Sequence, residues 1–393
     1  MNLLKQIGLR AVKKMSDYPK DWEEVRLDNI ANIFDNLRVP VSKDKRTVGN
    51  IPYYGANGIQ DYVSGYTHDG EFVLLAEDGA NSLIDYPITY TKGKIWVNNH
   101  AHVLSGKNGI TNTNFLSYLL KKVNYEEILV GGTRLKLNGK ILRNINIYLP
   151  ALPEQKAIAD TLLTFDKHIE HLEKLIEKKK MIRDGTLEDL MSGKRRLDGF
   201  NGEWEEKELN RICDIYDGTH QTPIYKPNGI RFVSVENIKC LKESDKYISK
   251  SDFKRDFKIY PEKNDVLMTR IGDIGTAAII KDNEKLAYYV SLALFKNIKI
   301  DSSYLYHHIG CNHFKDELDK RILHHAVPKK INKNDIGKCK VIYPTDIKEQ
   351  EAIAAILTSM DAEIEDLEKE KAKIENLKAG AMDDLLNGRV RLI

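Results

Sequence analysis

The chain is written twice, and this limits what it can fold into more than any other feature. From Glu154 it reads EQKAIADTLLTFDKHIEHLEK and from Glu349 EQEAIAAILTSMDAEIEDLEK, an offset of 195 residues that holds without a gap to Ile393. Gly185 meets Gly380, Asp189 meets Asp384, Leu190 meets Leu385, Gly193 meets Gly388 and Arg196-Leu197 meets Arg391-Leu392. Upstream the echo continues at offset 194, where Leu137-Asn138 answers Ile331-Asn332 and Tyr148-Leu149-Pro150 answers Ile342-Tyr343-Pro344. Trp22-Glu23-Glu24 with Leu27, Ile30 and Ile33 returns as Trp204-Glu205-Glu206 with Leu209, Ile212 and Ile215, at offset 182. A period this long is a domain duplication, since solenoid units run to about 20–45 residues. Each half has a similar opening and a similar closing helix around a middle that differs.

The repeated segment carries one apolar stripe. Ile158, Leu162, Phe165, Ile169, Leu172 and Ile176 are spaced 4, 3, 4, 3, 4, the a/d seam of a heptad repeat. Its copy, Ile353, Leu357, Met360, Ile364 and Leu367, keeps the register and weakens at Lys371 before Ile374. Pro153 and Glu154 suit a helix start, while Gly193 and Gly388 mark the stops. Each predicted helix spans roughly 35 residues, about 50 Å at 1.5 Å per residue. An amphipathic helix lying on a domain surface is the plainer alternative, but the seam recurs in both copies at one offset.

Between the helices the pattern is strand-rich. Strands are expected around 48–63, where Tyr54-Gly55-Ala56-Asn57-Gly58 marks a turn, and around 71–77 and 94–104, with a helix at 115–123. The second half shows strands around 231–235, 265–270, 277–281 and 288–295, and a helix over 302–323. At about 150 residues per domain, 393 residues make two or three domains. A composition of 41% hydrophobic and 30% charged residues belongs to a folded soluble chain. No apolar run approaches the roughly 18 residues of a membrane span; Phe72-Val73-Leu74-Leu75-Ala76 is typical. Residues 1–16 read as a short amphipathic arm without the apolar core of a signal peptide. Cys213, Cys240, Cys311 and Cys339 form no C-x-x-C pair, so a reducing cytoplasm is expected.

Reaction chemistry is hard to find. There is no G-x-x-x-x-G-K-[ST] loop, no strand-to-helix G-x-G-x-x-G, no Asn-Pro-Pro-aromatic motif, no G-x-S-x-G and no H-E-x-x-H. Gly272-Asp273-Ile274-Gly275 is a turn between strands. His307, His308, Cys311 and His313 fall on one predicted helix, but only His307 and Cys311 have the i, i+4 spacing of a shared metal. His100 and His102 are expected on one strand face with no third ligand in view. The expectation is a chain without catalytic, cofactor or metal residues of its own.

Nucleic-acid contact fits better, although the net charge of +3 means any basic surface must be local. Asn and Gln pair bidentately with adenine, and Arg and Lys with guanine. Small residues let the backbone approach phosphate. Asn98, Asn99 and His100 form one candidate set, and Arg134 and Lys136, after Gly131-Gly132-Thr133, form another. In the second half the candidates are Thr219, His220 and Gln221 in a Gly/Pro-bounded turn, Arg270 before Gly272, and Lys329 and Lys330 after His324-His325-Ala326-Val327-Pro328. Any one polar loop is ordinarily just solvated. These stand at matching places in a duplicated frame.

The layout resembles the specificity (S) subunit of Type I restriction–modification enzymes, in which a variable target-recognition domain alternates twice with a repeated helical spacer. The junction Leu149-Pro150 into Pro153-Glu154-Gln155, echoed by Tyr343-Pro344 into Glu349-Gln350, is similar to that family's domain-to-helix boundary. Leu190-Met191-Ser192-Gly193-Lys194 and Leu385-Leu386-Asn387-Gly388-Arg389 resemble its helix exits. Glu77-Asp78-Gly79-Ala80-Asn81, Trp96-Val97-Asn98-Asn99-His100, Gly218-Thr219-His220-Gln221-Thr222-Pro223 and Thr269-Arg270-Ile271-Gly272-Asp273 look like parts of its recognition domains.

The resemblance implies a mixed α+β and α/β fold with an internal pseudo-twofold repeat, in which two α/β target-recognition domains are separated by two long antiparallel coiled-coil helices. Its parts would be an N-terminal arm at 1–16, recognition domains at 17–150 and 199–345, and spacer helices at 151–198 and 346–393. It implies double-stranded DNA, two methyltransferase (M) subunits and two restriction/translocase (R) subunits as partners. S-adenosylmethionine, ATP and Mg would reside in those partners. Each domain would read one half of an asymmetric bipartite target, directing adenine methylation and ATP-dependent restriction. The competing class is a coiled-coil scaffold with two protein-binding ends, which would more naturally expose aromatic or aliphatic anchors at its loops.

Overall fold

The computed structural model describes residues 18–131 and 135–393; the arm at 1–16 and the candidate Arg134 lie outside the described residues. The chain forms two compact units. One runs to Leu172 and takes up Glu370–Ile393; the other is Glu173–Lys369. Each unit therefore holds a globular domain, the near part of one long helix and the far part of the other. No helix among the described residues is long and apolar enough to cross a membrane.

The strands of the first unit are β1 (Glu23–Arg26), β2 (Ala31–Ile33), β3 (Val48–Gly55), β4 (Gly58–Val63), β5 (His68–Ala76), β6 (Ile88–Val97), β7 (Ala101–Gly106) and β8 (Asn146–Leu149). Six of them form a sheet in the order β2-β7-β5-β6-β3-β4, and β1 pairs antiparallel with β8. In the second unit come β9 (Trp204–Glu208), β10 (Asp214–Asp217), β11 (Ile230–Val233), β12 (Tyr247–Ile248), β13 (Val266–Ile271), β14 (Asp273–Ile279), β15 (Leu286–Tyr288), β16 (Leu292–Lys296) and β17 (Lys340–Pro344). Their sheets are β10-β16-β13-β14, β12-β11-β15 and the pair β17-β9. The run β2-β7-β5-β6 and the run β10-β16-β13-β14 are the same four-strand motif, so the differing middles share one frame.

Two expected elements are each broken in two. The strand expected at 94–104 is β6 and β7, parted by a turn in which the Asn98 side chain accepts from the His100 backbone N–H at 2.8 Å. Asn side chains offer the backbone this local alternative to a ladder, and His100 and His102 consequently do not share a strand face. The helix expected at 302–323 is Ser302–Ile309 and Asn312–Asp319, because Cys311 between them is extended at φ −78°, ψ 160°.

The long helices are Leu152–Met191 and Ile347–Leu385, 40 and 39 residues, somewhat longer than expected. They run antiparallel within each unit: Asp166 binds Lys378 and His168 lies by Glu370 in the first, while Lys179 binds Glu363 and Arg183 binds Asp361 in the second. Ile158 and Leu162 are fully buried in the first domain's core, and Ile353 and Leu357 in the second's. The seam thus begins by docking each helix on its own domain. Leu172, Ile176 and Ile364 are also buried, while Phe165, Ile169, Met360 and Leu367 are half-buried.

The repeated Glu-Gln words explain themselves here. Glu154 and Glu349, 1% and 0% exposed, each accept a two-point hydrogen bond from the arginine beyond the other helix, Arg391 and Arg196. Gln155 donates to the Pro150 carbonyl and accepts from the backbone N–H of Asn112; Gln350 does the same with Pro344 and Asp301. Asn112 and Asp301 cap the helices Thr113–Leu120 and Ser302–Ile309. Gly193 and Gly388 take positive φ, +69° and +65°, and a Cβ on Gly388 would strike Pro19 at 2.4 Å.

Candidate nucleic-acid interface

Backbone pairing aligns the two domains residue by residue. Glu77 N–H donates to the His100 carbonyl and Arg270 N–H to that of Ser291, both at 2.9 Å. Leu137 N–H donates to Glu77 O at 2.8 Å and Ile331 N–H to Arg270 O at 3.0 Å. Glu77 therefore corresponds to Arg270, His100 to Ser291 and Leu137 to Ile331. In each domain a hairpin loop closes on this strand end. Val130 and Lys136 bridge each other, and Lys136 also bridges Asp78; Leu323 and Lys330 bridge each other, and Lys330 also bridges Ile271.

Beneath each loop lies a buried charged clamp. In the first domain His102, 1% exposed, has Nδ1 at 2.6 Å from Asp35 and Nε2 at 2.6 Å from the Leu137 carbonyl. In the second, Arg270 pairs with Asp217 and donates from Nε to the Ile331 carbonyl at 3.1 Å. Asp35 and Asp217 stand 182 residues apart, the same offset that links the two openings. Burial works to raise the Asp35 carboxyl, but the hydrogen bond and charge of His102, with the Val103 amide and Arg38, outweigh it and hold Asp35 below its usual value.

Asp35, Glu77 and His102 are the one group among the described residues close enough to hold a metal. Arg38 already occupies that ground, with its guanidinium 2.8 Å from Glu77 and 3.7 Å from Asp35. A fixed cation on both carboxylates makes this an ion-pair network. His307, His308 and Cys311 belong to the second domain's interior: burial takes the His307 ring down to about 4 and the His308 ring to about 3, and pushes the Cys311 thiol up to about 11.

The candidate residues differ in exposure and in partners. Asn98 is buried and builds its turn, while Asn99 is exposed. His100 and Lys136 converge on Asp78, at 2.6 and 3.2 Å. In the second domain Thr219 bridges Tyr289 beside Gly218, where a Cβ would lie 2.4 Å from the Tyr288 carbonyl, so the chain can pass there only as glycine. His220 and Gln221 are exposed on that turn. Lys329 and Lys330 are exposed on the hairpin, tied down by Gly272 N–H donating to Lys329 O at 2.8 Å. Arg270 is a correction to its expected place among the DNA-contacting residues: at 8% exposed, it spends its guanidinium inside the domain. The sequence reading missed Asp35, Arg38 and Asp217, although the 182-residue echo reaches both aspartates.

Each domain thus presents a pole of polar loops above a rigid clamp, and the two poles carry different side chains on one repeated frame tied to long helices. That is the anatomy of a two-domain recognition protein. The family model of the Type I restriction modification DNA specificity domain matches residues 19–179 and again 201–376. The chain is 33% identical over 372 residues to a Haemophilus influenzae protein assigned as a type I restriction enzyme specificity subunit, covering 87% of each. It is 26% identical over 412 residues to the MjaVIII specificity subunit of Methanocaldococcus jannaschii, covering 95% of this chain and 94% of that one. The crystal structure of a Type I restriction–modification S subunit from M. genitalium shares the fold, with a TM-score of 0.70 at 16% identity over 95% of this chain and 98% of that one. The chain belongs to the type I restriction–modification specificity subunits, the non-catalytic DNA-recognition family.

Proposed function

We propose that the two poles read the two halves of an asymmetric, interrupted DNA target, and that the helix pair sets the unread gap between them. The observation that carries this reading is the pairing of one clamp with two different loop sets. Identical poles would favour a palindrome, whereas Asp78, His100 and Lys136 in one domain answer to Ile271, Ser291 and Lys330 in the other. Helices of 40 and 39 residues are about 60 Å long, room for two short half-sites and a gap at about 3.4 Å per base pair. Lysines such as Lys329 and Lys330 supply phosphate contacts that hold register, and the polar side chains beside them supply base contacts.

In this reading the chain brings DNA to two methyltransferase subunits, which hold S-adenosylmethionine, and to two restriction/translocase subunits, which use ATP and Mg, in a cytoplasmic complex. The test is a methylome. Expressed with its cognate methyltransferase in a methylation-free host, the chain is expected to yield modified adenines in a split motif with a constant gap. A palindromic or uninterrupted motif would overturn the bipartite reading. A complex that forms without any methylation depending on this chain would bring a scaffold role to the front.

A further inference from the structure

The first domain's pole contains a carboxylate–histidine pair that the second domain lacks. Asp78 is 6% exposed, and its two oxygens face different partners: Oδ1 lies 2.6 Å from His100 Nδ1 and Oδ2 lies 3.2 Å from Lys136 Nζ. His100 is held on every side but one. Its backbone N–H donates to the Asn98 side chain at 2.8 Å, its carbonyl accepts from Glu77 N–H at 2.9 Å, and its ring is fixed by Asp78. The side chain is still 39% exposed, and among the described residues Nε2 has no hydrogen-bond partner. At the corresponding places stand Ile271, which has no charge, and Ser291, which is buried with its hydroxyl accepting from Val235 N–H at 3.2 Å.

The chemistry of the pair sets what the ring can recognise. In the neutral ring, a carboxylate beside Nδ1 holds the single proton there and leaves the lone pair on Nε2. A fixed acceptor at the edge of a DNA-facing loop matches a donor on a base edge, and in the major groove the donors are the amino groups of adenine N6 and cytosine N4. We propose that His100 Nε2 reads one exocyclic amino group in the first domain's half-site, with Asp78 as the positioning residue that sets the ring's tautomer and angle. This rests on the DNA-recognition reading above.

The test uses the full chain assembled with its methyltransferase partner and duplexes carrying the methylome-derived target. At each position of the half-site, adenine is replaced by purine riboside and cytosine by 2-pyrimidinone, analogues that lack the amino group, so the two base sources are separated. Wild type is expected to lose about 10-fold or more in affinity at one position. His100→Ala should bind the intact target more weakly by a similar factor and cease to distinguish the analogue there, while keeping every other position's preference. His100→Gln, whose amide oxygen can accept, should restore part of the discrimination. Asp78→Asn should copy His100→Ala at that one position. A uniform loss of affinity for all sequences in both variants, or full discrimination retained by His100→Ala, overturns the proposal. If Asp78→Asn fails to fold, the Ala and Gln variants of the half-exposed His100 decide the matter. A wild-type complex with no preference for target over random DNA would instead sink the recognition reading on which this depends.

Discussion

The clamps under the two poles do the same work with different residues, drawn from different strands. In the first domain the bridging side chain is His102 on β7; in the second it is Arg270 on β13, the neighbouring strand. Both bridge an aspartate at or just past the end of the first sheet strand, Asp35 or Asp217, to a backbone carbonyl, that of Leu137 or Ile331. What the duplicated frame holds in common is therefore a place for a buried side chain that ties an aspartate to a backbone carbonyl. Directly above it the domains diverge, with Asp78 and His100 in one and Ile271 and Ser291 in the other. The same division appears in the sheets. β3 and β4 extend the first domain's sheet beyond β6, whereas β11, β12 and β15 make a separate sheet in the second.

The sharpest way to break this comparison is to remove the bridging side chain from each clamp. His102→Ala and Arg270→Ala should each leave a poorly exposed carboxylate without its partner, a loss of about 3–5 kcal/mol. Urea unfolding of the two variants should show comparable destabilisation, with protection from hydrogen exchange lost first in the domain that carries the change. An effect in one domain alone would mean that the two clamps are not equivalent. Because the loops above depend on the clamp, target affinity should fall with stability in both.

Acid should separate the domains next. In the second, His307 and His308 are buried with ring values near 4 and 3. Counting from the helix caps Asn112 and Asp301, their counterparts in the first domain are Tyr118 and Leu119, which do not gain a proton in this range. A histidine depressed in the folded state binds more protons when unfolded. Its contribution to stability is thus complete above about pH 6.5 and is lost as pH falls toward the folded values of about 4 and 3. The slope is up to about 1.4 kcal/mol per pH unit for each ring. Hydrogen exchange at pH 7 and pH 5 should show the second domain weakening more than the first, and His308→Leu should reduce the difference. In the first domain His68, lowered by burial, acts in the same direction but is one ring against two, and Asp35, held below its usual value, loses its contribution only as pH falls below about 4.

Much of this frame was legible because it is written in local words. The heptad seam, the glycine stops and the Glu-Gln starts each occupy a few consecutive residues, and their recurrence at one offset marks them as architecture. The clamps were not legible in that way. Asp35, His102 and Leu137 lie on three separate stretches of chain, and only the sheet register brings them within 2.6 Å of one another in turn. Arg270 looked like a DNA contact because it closes a strand before Gly272. Nothing local tells that its guanidinium turns inward to Asp217. Asn98 misled in the opposite sense, since a β-compatible run hides the side-chain contact that breaks the strand.

The smallest expected effect tests whether the equivalence extends into the spacer. Asp166 is bound by Lys378 and by the Tyr118 hydroxyl. At the matching place, 195 residues on, Asp361 is bound by Arg183 at 2.8 Å and lies 3.8 Å from the His307 ring. Each is a polar tie among two antiparallel helix segments and one domain helix. Both carboxylates are about a third exposed, 37% and 34%, so solvent screens them. Asp166→Asn and Asp361→Asn should each cost about 0.5–1 kcal/mol, less at high salt. Urea titrations at low and high ionic strength measure both the loss and its screening. Asp361→Asn should be the costlier of the two, because it also strips the nearest partner from a buried ring nitrogen: His307 Nδ1 has no hydrogen bond of its own. Equal losses would mean that the approach of Asp361 to the His307 ring adds nothing, and that the second tie is the Asp361–Arg183 pair by itself.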